Sequence, residues 1–245
     1  MSAAALLLAH ASFAQPASAD TAAPGVEAAT VVLLHGLART PLSLSRMAAA
    51  LQAEGYRVCN IGYPSRAHSV EVLARDHVAP AIAQCTGASS APVHFVTHSL
   101  GGIVVRQLVA EGHLSRIGRV VMLSPPNQGS EVVDQLGHWP LFQWINGPAG
   151  GELGTVAQAT PHRLGAASFE LGVLTGDRSL NWALSALIPG ADDGKVAVSR
   201  APMAGMAAFR VLHTSHPFIM RNGEAIAQTL HFLQHGDFAA GYALR

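Results

Sequence analysis

The nine residues His94-Phe95-Val96-Thr97-His98-Ser99-Leu100-Gly101-Gly102 constrain this chain more than any other stretch. Val93 to Val96 is apolar and β-favouring, which predicts a short buried strand. Ile103 to Val109, apolar but for Arg106 and Gln107, is long enough for a buried helix. Between them stands one serine, with the small or permissive residues Thr97, Gly101 and Gly102 around it. A strand that turns abruptly into a helix strains the backbone at its apex, so the positions two residues either side must be small. The turn lifts the apical side chain above the sheet and aims free helix amides at it. Ser99 is therefore a candidate nucleophile in a strand–serine–helix elbow. The usual pattern is Gly-x-Ser-x-Gly, and here Thr97 takes the place of the first glycine, which makes the strand side tighter. The competing interpretation is a serine that only caps a helix in a nucleotide-binding or other α/β protein.

The rest of the chain bears on that choice. Ala29 to Leu34 is a continuous apolar run suited to a parallel strand covered on both faces, and it ends in His35-Gly36-Leu37. Thr40-Pro41 then supplies an N-cap and a first-turn proline for a helix through Ala53, stopped by Gly55. Tyr56 to Ile61 predicts the next strand, and Val70 to Cys85 an amphipathic helix with Val70, Leu73, Val78 and Ile82 on its apolar face. Further strands are expected at Ile117–Leu123, Phe169–Thr175 and Phe209–Leu212, a short extended piece at Lys195–Val198, and a closing helix at Gly223–Gln234. Strands alternating with helices predict a mostly parallel, doubly wound α/β sheet with helices on both faces.

Composition narrows the function. The chain of 245 residues suits one domain with a full core. With 12% charged residues and a formal net charge of zero, it has no basic stripe to neutralise phosphates, so nucleic acid is not an expected partner. No apolar run reaches the length of a membrane span. Residues 1–28 form an alanine-rich leader whose small residues sit at cleavage-like spacing around Ala14 and Ala19. They resemble the back end of a signal peptide without its basic front, which favours a periplasmic or secreted protein over a cytoplasmic one. Residues 29–245 are then the folded domain. The two cysteines, Cys59 and Cys85, leave both a disulfide and two separate buried thiols open.

Between Asn127 and Ala167 the alternation breaks. This stretch holds Trp139, Phe142 and Trp144 and then the glycine-rich Gly147 to Gly151, the composition of a lid-like insertion with a flexible end. The aromatic residues either line an acyl pocket or fasten the insertion to the body. A serine nucleophile also needs a histidine base and a carboxylate that fixes the imidazole. His216 lies beyond the last expected strand, free to lean over the sheet edge, whereas His213 sits at the strand's end and is more suited to packing. Asp177, directly after the Phe169–Thr175 strand, and the adjacent Asp192 and Asp193 are all candidates for the acid. His231 and His235, four apart on the closing helix, lack a third partner for a metal site.

The segments Leu34-His35-Gly36-Leu37, Thr97-His98-Ser99-Leu100-Gly101-Gly102, Asp193-Gly194-Lys195-Val196 and Ser215-His216 together resemble the α/β-hydrolase fold, and within it bacterial lipases and esterases of the triacylglycerol lipase type. They run in that family's chain order of serine, acid, histidine. The resemblance implies Ser99 as nucleophile, Asp193 as the acid ahead of Asp177, and His216 as the base. It also implies an oxyanion hole built from the amides of Leu100 and Leu37. The implied activity is hydrolysis of carboxylic esters, small-molecule or lipid, through an acyl-enzyme at Ser99, with no cofactor and no metal. Trp139, Phe142 and Trp144 are the expected substrate-binding residues. Acyltransferase, thioesterase and amidase activities use the same groups, and a non-catalytic binding protein on the same fold is the reading from another class.

Overall fold

The computed structural model describes residues 28–240. The leader expectation therefore lies, but for residue 28, outside the described residues. Six strands form one all-parallel sheet in the order β2-β1-β3-β4-β5-β6. They are β1 (Thr30–Leu34), β2 (Arg57–Ile61), β3 (Val93–His98), β4 (Ile117–Leu123), β5 (Leu171–Gly176) and β6 (Ala208–Leu212). The order reverses between β1 and β3, so their carboxyl ends open a crevice at the switch point, where open α/β sheets bind ligands.

Both faces of the sheet are covered, as continuous apolar strands require. Alternate residues of β1 point to opposite sides. Val32 and Leu34 join one core with Phe95 and with Leu100 and Ile103 of α4 (Leu100–Ala110). Val31 and Leu33 join the other, with Leu44, Leu51 of α1 (Ser45–Ala53) and Phe232 of the last helix (Gly223–His235). All of these side chains are fully buried, and each contributes about 1.5–3 kcal/mol relative to exposure.

The helix expected over Val70–Cys85 forms in three pieces: α2 (Val70–Val72), a π-helical turn (Leu73–Val78) and α3 (Ala79–Thr86). Pro80 explains the break, since it has no N–H for a helical bond and its ring crowds the preceding turn. Likewise, Pro41–Leu44 is a 3₁₀ turn ahead of α1, and Thr40 makes no side-chain cap bond. Lys195–Val198 forms no strand; Asp192 and Ala197 make a single antiparallel bridge, and a 3₁₀ turn follows at Val198–Arg200.

The stretch after β4 is more regular than its composition suggested. It holds α5 (Glu131–Leu136), α6 (Pro140–Gly151) and α7 (Thr160–Arg163). Gly147 kinks α6 with a φ of +64°, and a Cβ there would collide with the Arg66 carbonyl. Gly147 is thus a close-packed kink, whereas Gly151 at the end of α6 is exposed with open space around it. The remaining helices are α8 (Trp182–Ser185) and α9 (Gly223–His235), the latter capped by Asn222 accepting from the Ala225 amide at 3.0 Å.

Cys59 on β2 and Cys85 near the end of α3 form a disulfide, their Cα atoms 6.2 Å apart. It ties the edge strand to the helix that covers it across 26 residues of chain. Closing a loop of that length in the unfolded state is worth about 3.5 kcal/mol in the chain-entropy model. Reduction, or Cys85→Ser, should lower the melting temperature by many degrees while leaving circular dichroism at low temperature unchanged, and calorimetry with and without reductant checks this.

Candidate active site

Ser99 stands between β3 and α4 with φ +52° and ψ −120°, a conformation that L-residues avoid. The surroundings hold it there. Its own amide donates to the Leu123 carbonyl at 2.9 Å, continuing the sheet ladder past the end of β3. A Cβ on Gly101 would come within 2.5 Å of the Leu34 carbonyl, so only glycine lets α4 start this close to β1. Gly102 accommodates the threonine that replaces the usual glycine: a Cβ there would lie 3.3 Å from Thr97 Oγ1. Thr97 is fully buried at this point. The helix side has given up volume for the strand side.

His216 reaches Ser99 from the loop after β6. Its Nε2 lies 3.1 Å from Ser99 Oγ and its Nδ1 2.8 Å from Asp193 Oδ2. A carboxylate only accepts, so Nδ1 carries the proton, and Nε2 is left to accept from the serine hydroxyl. Both residues are buried, Asp193 completely. The second carboxylate oxygen of Asp193 accepts from the amides of Lys195 at 3.0 Å and Val196 at 2.9 Å. The His216 amide in turn donates to the Asp193 carbonyl at 2.9 Å, which locks the two loops together. Burial alone would raise the Asp193 pKa. The electrostatic attraction to His216, the hydrogen bond from its ring and the Val196 amide outweigh that and hold the carboxyl below its ordinary range.

The competing acids have other partners. Asp192 Oδ1 accepts from Ser185 Oγ and from the Gly194 amide, both at 2.7 Å, and so builds the turn that presents Asp193. Asp177 pairs with His213 at 2.9 Å, on the surface. The described residues therefore contain three aspartate–histidine pairs, His213–Asp177, His216–Asp193 and His231–Asp237, and the second of them is joined to Ser99. His231 Nδ1 lies 2.9 Å from the Asp237 carbonyl.

The His35-Gly36-Leu37 loop is fixed from within. His35 stacks on Tyr63 with ring centroids 4.3 Å apart, and the Tyr63 hydroxyl donates to the His35 carbonyl. The Tyr63 amide donates to His35 Nε2 at 3.4 Å, so Nδ1 carries the proton and donates to the Gly36 carbonyl at 2.9 Å. Desolvation lowers the His35 pKa, in keeping with this neutral tautomer. His98, immediately before the serine, is also buried; its Nε2 donates to the His216 carbonyl at 3.0 Å. Burial pushes the His98 imidazole well below its ordinary range, and the neighbouring His216 ring disfavours a second cation there. Nothing in the sequence marks this role of His98 beyond a polar side chain at the end of an apolar strand.

A cavity of about 240 Å³ opens over Ser99 and His216. Leu37, Val132, Val133, Leu136, Phe142 and Leu153 give it an apolar wall, and Arg39 and Lys195 line it as well. Leu100 is buried at the first turn of α4, where its amide has no intrahelical acceptor. Of the three aromatic residues expected to bind substrate, only Phe142 lines the cavity. Trp139 and Trp144 point outwards, 54% and 75% exposed, and the Arg66 guanidinium lies 6.0 Å from the Trp144 ring. Helical periodicity separates them: α6 turns one side of Phe142 inwards and carries Trp144 round to solvent.

A parallel sheet with a strained serine at its switch point and a histidine–aspartate pair behind it is the architecture of a hydrolase. The model of the alpha/beta hydrolase family matches residues 31–230, and the chain belongs to that family. Among solved structures it is similar to a lipase from Bacillus licheniformis in its mature form, with a TM-score of 0.66 and 17% identity over 88% of this chain and 94% of that one. It is also similar to a metagenomic carboxyl esterase, with a TM-score of 0.61 and 16% identity over 81% and 69% of the two chains. No curated protein matches it. Identities this low establish the shared fold.

Proposed function

We propose that this hydrolase cleaves carboxylic esters through an acyl-enzyme at Ser99. The observation that carries this reading is the unbroken run of hydrogen bonds from Ser99 through His216 to the buried Asp193, at the floor of a largely apolar cavity. The Ser99 hydroxyl attacks the ester carbonyl while its proton passes to His216 Nε2. Asp193 stays ionised, keeps the imidazole in the Nδ1–H tautomer and stabilises the imidazolium that forms. The amides of Leu100 and Leu37 receive the developing oxyanion. His216 then returns the proton to the departing alcohol, and water repeats the cycle on the acyl-enzyme. An acyltransferase, thioesterase or amidase would differ only in acceptor or leaving group; the apolar wall favours esters with aliphatic acyl chains. No helix among the described residues is long and apolar enough to cross a membrane. The Cys59–Cys85 disulfide favours an oxidising site of action, periplasmic or extracellular.

Asp193→Asn should lower kcat for a 4-nitrophenyl ester by about 10⁴-fold, because the wrong tautomer then faces the serine. Asp177→Asn, whose partner is the exposed His213, should stay within about twofold of wild type. A larger loss at Asp177 would move the acid to the end of β5.

A chain-length series tests the substrate class. Each methylene removed from water by an apolar wall is worth about 0.8 kcal/mol, so kcat/KM should rise from acetate to octanoate. Phe142→Ala should flatten that rise, costing about tenfold on octanoate and little on acetate. Trp144→Ala, off the cavity, should leave the profile unchanged. A flat wild-type profile would contradict an aliphatic acyl pocket.

A further inference from the structure

The cavity over Ser99 has a feature that hydrolysis of a neutral ester does not use. Arg39 and Lys195 both line it. They arrive on the two loops that bound the candidate nucleophile, Arg39 just after His35-Gly36-Leu37 and Lys195 two residues beyond Asp193. Both backbones are held in place. The Arg39 amide donates to the Gly36 carbonyl at 3.2 Å, and Ser130 Oγ donates to the Lys195 carbonyl at 2.7 Å. Neither guanidinium nor ammonium has an ion pair or side-chain hydrogen bond among the described residues, and no carboxylate lines the cavity. The surrounding protein, and then repulsion from Arg39, hold the Lys195 ammonium below its ordinary range, with Asp193 opposing. Both side chains are exposed, so water screens their mutual repulsion, and Asp193, the carboxylate that acts on Lys195, is already engaged by His216. An anion entering the cavity would therefore meet two cations that have no partner of their own.

We infer that Arg39 and Lys195 form the anion-binding side of the substrate site, and that the preferred ester is an amphiphile with a carboxylate or phosphate group. Its apolar chain lies along the Val132, Leu136 and Phe142 wall, and its anionic group meets the two cations. The inference rests on the ester-hydrolase reading for turnover, but binding can be measured without turnover. Arginine supplies a planar fork that a carboxylate or phosphate engages bidentately, and lysine a point charge beside it.

Calorimetric titration of the Ser99→Ala protein with hexyl phosphate, hexanoate and hexan-1-ol tests this directly. At least one anion should bind about tenfold or more tightly than the alcohol, and that preference should shrink as sodium chloride is raised towards 1 M. Whichever anion is preferred assigns the group as phosphate or carboxylate. Adding Arg39→Ala and Lys195→Ala together, in a variant whose melting curve shows it folded, should bring all three ligands to similar affinity, whereas Lys195→Arg should keep the preference. Equal binding of anion and alcohol, or a preference that survives removal of both cations, would overturn the assignment. If the anions bind as described but the wild-type chain cleaves no ester, the ester reading fails and the anion site stands.

Discussion

The whole arrangement depends on the backbone strain at Ser99. A non-glycine residue at φ +52° and ψ −120° costs about 1–3 kcal/mol, and it persists only because its neighbours leave no alternative. The Leu123 carbonyl takes its amide, β3 is buried between β1 and β4, and Gly101 brings α4 against the Leu34 carbonyl. What the strain gains is direction. Ser99 Oγ stands above the carboxyl edge of the sheet, at the point where strand order reverses and where the loops after β1, β5 and β6 converge.

Burial decides which aspartate–histidine pair has chemical weight. The His213–Asp177 pair is mostly exposed, and water screens it to about 0–1 kcal/mol. The His216–Asp193 pair is almost fully shielded and is pinned by backbone amides on the acid and by His98 on the base. In that setting a hydrogen bond is electrostatically stronger and its geometry fixed. His98 and His35, both neutral, serve as fixed donors and acceptors that position the loops. Arg39 and Lys195 line the same crevice, and no carboxylate lines it with them.

Much of this was legible in the sequence because it rests on local chemistry. Short runs of four to seven residues placed all six strands of the sheet to within about two residues, with one false positive at Lys195–Val198, and the parallel order followed from the helices between them. The serine elbow was readable because only small residues tolerate the turn. His216 was readable from its place beyond the last strand. What could not be read depended on three-dimensional neighbours. The elbow offers no clue that Gly102 makes room for Thr97. The composition of residues 127–167 suggested an irregular insertion, yet three helices form there, and the phase of α6 puts Phe142 inside and both tryptophans outside. Residue type alone left three aspartates open, and only the resemblance of Asp193-Gly194-Lys195-Val196 put Asp193 ahead of Asp177; the loop contacts of Asp192, the surface pairing of Asp177 and the burial of Asp193 could not be read from the sequence.

The proposed reaction stands on Ser99 being a nucleophile made reactive by His216. Its most direct test is reaction of the intact protein with a fluorophosphonate, followed by mass spectrometry of the peptides. A single phosphonyl adduct on Ser99, formed rapidly by the native protein and lost on unfolding or on His216→Ala, is the predicted result. No adduct, or an adduct on another residue, would contradict it.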